Sequence, residues 1–135
     1  MIVTIHQPEH LPWLGFFDKL RQADVWVELD DAPFRKHYFQ NRNRVRGHAG
    51  PLWLTVPVLT RHRLGQPISN VTIDNETNPR WREKCWRTLT DSYARAPHFA
   101  EDAPFFERLY GSAWDRLVDL NDAILDHLVA AFGVR

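Results

Sequence analysis

The 135 residues, 44% hydrophobic and 25% charged, have the size and balance of one globular domain over 1–135, which argues against an intrinsically disordered chain. Lysine plus arginine equals aspartate plus glutamate at 17 each, so no global field drives the chain onto nucleic acid or an anionic membrane. A single cysteine rules out an internal disulfide; with no basic leader and no run near the roughly 18 apolar residues of a membrane span, a cytoplasmic protein is expected.

Residues 2–5 are short, apolar and β-branched, and end at Gln7-Pro8, which reads as a strand. In 15–23, Phe16, Phe17 and Leu20 recur at helical spacing among Asp18, Lys19, Arg21 and Gln22. A second strand follows at 25–29, where Val25, Val27 and Leu29 alternate with Trp26 and Glu28. Strand, helix and strand in this order make a βαβ unit. From 32 to 50 the periodicity stops, and the segment is polar, basic and aromatic, as functional or mobile loops are. Strands are expected at 52–58 and, more briefly, at 71–73, joined by an exposed connection over 60–67.

The remainder reads as helical. Asn78-Pro79 suits a helix entry, and Trp81, Cys85, Trp86, Leu89 and Tyr93 form its apolar stripe before Pro97 stops it. Further helices are expected over 103–110 and 114–132, the latter with Leu117, Leu120, Ile124, Leu128 and Phe132 on one face and Gly133 as its stop. The fold expected is therefore α/β: a Rossmann-like βαβ start, a small mixed sheet and a helical C-terminal half. Trp26 and Trp53 should be buried, whereas Trp13, beside Pro12, could line a pocket.

Two polar clusters carry the chemistry. The first, from His6 to Trp13, follows a strand directly, where α/β proteins open their ligand crevice, and the helix after it offers its positive end to an anion. His6 and His10 suit acid–base work near neutrality; the plainer alternative is a buried His6 and a solvated His10. Pro8 and Pro12 oppose the helix that would align the two histidines on a metal, so no metal is expected. The second cluster runs from Asp30 to Arg44. Asp31 is the better candidate carboxylate, and Gln40-Asn41-Arg42-Asn43-Arg44 gathers amides with guanidinium forks that match carboxylate or phosphate.

Basic residues interleaved with Tyr38 and Phe39 also suit a nucleic-acid strand, but zero net charge and the carboxylates upstream weigh against that partner. Cys85, at helical spacing with Trp81 and Leu89, reads as core rather than nucleophile. No CxxC, GxSxG, glycine-rich phosphate loop or HExxH is present, so no cofactor is indicated.

His6-Gln7-Pro8, Leu11 to Lys19, Ala23-Asp24, Asp30-Asp31, Phe34, Lys36 and Gln40 to Arg44 together resemble the WbqC-like family. Trp53 to Val58, Tyr93, Ala96-Pro97 and Phe99 extend the resemblance over nearly the whole chain. It implies a transferase or ligase-like enzyme of surface-polysaccharide or specialised-metabolite synthesis. On that reading an acyl or aminoacyl group, delivered by an acyl carrier protein, passes to an amine such as that of an amino sugar. His6 or Asp31 would deprotonate the amine, Lys36 and Arg42 would hold a carboxylate or phosphate, and Gln7, Asn41 and Asn43 would orient the acyl group. The alternative is a non-catalytic module that binds an anionic small molecule or a carrier arm.

Three departures from the family stand out: Pro33 in place of a polar residue, Cys85 in place of a histidine, and a length short of the usual member. The last implies either a fragment or a binding-only form. The order of elements is also similar to nucleotidylyltransferase-like domains, although Trp13-Leu14-Gly15-Phe16 lacks the two histidines of their His-x-Gly-His signature. All of this requires the two clusters to meet at one rim of the sheet. If Asn41 and Arg42 serve the ligand, their alanine variants should weaken binding and leave the melting temperature nearly unchanged.

Overall fold

β1 (Val3–His6) and β2 (Val25–Glu28) pair in parallel, with Val3 opposite Val25 and His6 opposite Glu28. Between them runs α1 (Leu14–Arg21), so the expected βαβ unit forms. The computed structural model describes residues 1–134. α1 buries Phe16, Phe17 and Leu20, the residues whose spacing identified it, against Leu125 and the half-buried Trp26, Leu128 and Val129. Burial of each such side chain contributes about 1.5–3 kcal/mol, which compensates for the short helix and its lack of a side-chain cap.

A second ladder is an antiparallel hairpin of β3 (Arg42–Gly47) and β4 (Gly50–Thr55), with Gly47 opposite Gly50. β3 lies inside the stretch that lacked periodicity. Only Val45 of that strand is buried, so its alternation is carried by polar side chains and escapes a hydropathy pattern. The expected mixed sheet is also corrected: the described strands form two separate two-stranded ladders, one parallel and one antiparallel. At 71–73 there is no strand, only single bridges from Ile73 to Val58 and from Thr72 to Arg116.

Three helices complete the chain: α2 (Trp81–Tyr93), α3 (Phe99–Gly111) and α4 (Leu117–Ala131). Trp81, Cys85 and Leu89 of α2 enter a core with Val45, Leu54, Val56, Val71, Ile73, Leu109, Tyr110, Leu117, Leu120 and Ile124. α3 begins four residues earlier than expected and carries Pro104 inside it rather than in its first turn. α4 serves both apolar clusters, Leu120 and Ile124 facing the larger and Leu125 the smaller. Gly133, at φ 63°, lies just past its end in the left-handed conformation that a helix stop favours. Among the described residues no helix is long and apolar enough to cross a membrane.

Two burial expectations are reversed. Trp53 is 47% exposed, because β4 turns it away from the core that Leu54 enters. His10, expected in solvent, is wholly buried, because the loop after β1 folds under α4.

Candidate functional site

The two polar clusters do meet. Gln40 Nε2 donates to Gln7 Oε1 at 2.7 Å, Asn43 Nδ2 donates to the Leu11 carbonyl at 2.7 Å, and the His10 amide donates to the Phe39 carbonyl at 3.0 Å. Behind them, Asn121 Nδ2 donates to the Gln40 carbonyl at 2.8 Å while its Oδ1 lies 3.0 Å from His10 Nδ1. The Tyr110 hydroxyl is 3.4 Å from His10 Nε2. These pairings assign His10 as a neutral imidazole carrying its proton on Nδ1. Burial lowers its pKa to about 4, against a smaller upward push from Asn121. Much of the junction is therefore a buried polar fastening. Asn41 belongs to it, since it is buried and donates to the Val56 carbonyl at 2.9 Å.

The other expected site residues lie nearer the surface. Arg42 places its guanidinium 4.1 Å from the Trp53 ring centroid and donates to the His37 carbonyl at 2.7 Å. Trp13 is exposed, packed across Gly15, where a Cβ would collide with its ring at 2.1 Å. Asp31 and Lys36 are exposed and form no ion pair among the described residues. Gln7 and Asn43 are half-buried and held by the bonds above. His6 is half-buried at the end of β1, with Nδ1 2.8 Å from the Gln7 carbonyl, and its ring meets Phe16 edge-on at 4.9 Å.

On β2, in register with His6, stands an acid that sequence reasoning missed. Residues paired across parallel strands share a face, so Glu28 projects on the same side as His6, toward α1 and α4. The nearest acid acting on its carboxyl is Asp122 on α4. Burial first, then the neighbouring Asp122 carboxylate, push Glu28 up to about 7; burial likewise raises Asp122. Asp30 and Asp126 add smaller upward pushes. A carboxyl raised toward neutrality in this way is suited to take up or give away a proton near neutral pH.

On the other side of His6, buried Glu9 places Oε1 3.9 Å from Nε2. Desolvation raises Glu9, and the charges of His6 and Lys19 partly offset that. Lys19 itself donates to the Ile5 carbonyl at 3.1 Å. His6 thus has Glu9 near its ring, and Glu28 as its register partner on β2, at the C-terminal ends of two parallel strands. Glu28 was within reach of sequence reasoning, because the rule that singled out the end of the first strand applies equally to the second.

No three His, Cys, Asp or Glu side chains among the described residues gather in a geometry that would hold a metal ion. A separate open groove of about 640 Å³ lies between β4 and α2, lined by Trp53, Thr55, Arg80, Glu83, Lys84 and Arg87 among others, and contains none of the expected site residues. Cys85 lines its floor, and burial pushes that thiol up to about 12, which makes it a poor nucleophile.

A sequence profile of the WbqC-like protein family matches residues 7–135, and the chain belongs to that family. It is 33% identical over 133 residues to the uncharacterized protein Rv1507c of Mycobacterium tuberculosis. That match covers 98% of this chain and 56% of the relative, so the chain spans little more than half the length of the curated protein it resembles. No solved structure matches the chain.

Proposed function

We propose that this WbqC-like chain carries the amine-binding and proton-transfer part of an acyl or aminoacyl transferase that forms an amide on a small amine, such as an amino sugar. The observation that supports the reading is the register of Glu28 with His6 at the ends of the parallel strands, with burial and the nearby Asp122 holding the Glu28 carboxyl up. An ammonium group is drawn to Asp30, Asp122 and Asp126, and an amine becomes nucleophilic only after losing its proton. Glu28, poised near neutrality, or His6 accepts that proton. The free amine then attacks the carbonyl of a thioester donor, such as an acyl carrier arm; the C–N bond forms, the C–S bond breaks and the thiol leaves. Arg42 and Lys36 supply cations for a carboxylate or phosphate on either substrate, with Trp13 as an apolar wall and Asp31 as a further carboxylate.

The setting proposed is surface-polysaccharide or specialised-metabolite synthesis, on a Rossmann-like arrangement begun by β1, α1 and β2. Purified protein incubated with aminoacyl thioesters and amino sugars, and read by mass spectrometry, tests the reading. Amide product that falls at least tenfold in Glu28→Gln supports it. Binding without product across a broad panel defeats it and favours a module that only holds an anionic small molecule or a carrier arm.

A further inference from the structure

The face of the β1–β2 ladder turned away from α1 is apolar and open. Val3 is 47% exposed, Ile5 54%, Val25 43% and Val27 42%, with Ile2 and Leu29 continuing the patch at either end. These are the alternate positions of both strands, opposite the Thr4, His6, Trp26 and Glu28 face. Solvent on this face has a physical cost: parallel strands are normally covered on both sides, since crossover helices occupy the two faces. A contiguous apolar patch on this scale marks a docking surface rather than scattered surface hydrophobes. The other side of the ladder has its cover in α1 and α4.

We infer that this face receives an amphipathic helical layer from sequence of the kind the longer relative carries outside the matched stretch. More than two-fifths of that relative lies beyond the match, ample for such a layer, whereas the match itself already accounts for α1 and the strands. The shape of the acceptor favours helices over further strands. In a parallel sheet the chain leaves each strand by a crossover, and a crossover helix packs on a face. The inference is independent of the transferase reading, because it concerns the face opposite His6 and Glu28.

Thiol labelling tests it. Val27→Cys in this chain gives one accessible thiol, since Cys85 is buried. Maleimide should modify that thiol rapidly, with the protein sedimenting as a monomer. The same substitution at the aligned position of the full-length M. tuberculosis relative should lose the reaction until denaturant is added. A lysine at that aligned position should lower the relative's melting temperature, whereas Val27→Lys leaves that of this chain unchanged. Rapid labelling in both proteins overturns the inference. So does protection in this chain, which as a dimer would make a second copy the occupant.

Discussion

His10 and Asn121, 111 positions apart in the chain, meet with His10 Nδ1 3.0 Å from Asn121 Oδ1, and both side chains are buried. Through the amide of Asn121 the contact continues to the Gln40 carbonyl, so one side chain on α4 ties both polar loops together. Replacing Asn121 by leucine would leave the His10 N–H and the Gln40 carbonyl without partners. Two orphaned buried groups cost about 2–5 kcal/mol. Urea unfolding should show a loss of that size, and a loss under about 1 kcal/mol would mean that water replaces the amide.

Asn41 and Arg42 are neighbours in sequence with opposite duties. Asn41→Ala removes a buried donor to Val56, and its cost should be about 1–3 kcal/mol. That revises the expectation that both alanine variants would melt like the native protein. Arg42→Ala forfeits a partly exposed stacking contact on Trp53 and should cost about 1 kcal/mol or less. Thermal melts of the two variants check the contrast; equal shifts would contradict it.

The Glu28–Asp122 pair makes a signed prediction about pH. The folded pKa of Glu28 lies above its unfolded value, so between about 4.5 and 7 the folded state binds more protons than the unfolded state. Stability from this group therefore falls as pH rises through that window. His10 acts the other way, since its depressed pKa makes stability rise with pH between about 4 and 6.5. The difference between wild type and Glu28→Gln isolates the first effect. The variant should gain on wild type across pH 4.5 to 7, by on the order of 1 kcal/mol after solvent screening at this half-exposed site. A pH-independent difference would show that burial beside Asp122 does not raise Glu28.

The local chemistry of the chain determined a good deal by itself. Phe16, Phe17 and Leu20 marked α1, Trp81, Cys85 and Leu89 marked α2, and the βαβ order followed from short apolar runs around a helical pattern. Each is a periodicity written over a few adjacent residues, where the buried face repeats every turn or every second position. β3 was invisible because only Val45 among its six residues is buried, and hydropathy registers burial rather than backbone pairing. His10 and Trp53 exchanged their expected places for a related reason: what covers a loop or a strand face comes from elsewhere in the chain.

Only the tertiary structure decided the chemistry of the site. His6 and Glu28 come into register by strand pairing, and Asp122 approaches Glu28 from a helix that begins almost ninety residues after β2 ends. A carboxyl group has an ordinary pKa wherever it stands in an extended chain. It acquires a proton near neutrality only when folding strips its water and sets a second carboxylate against it.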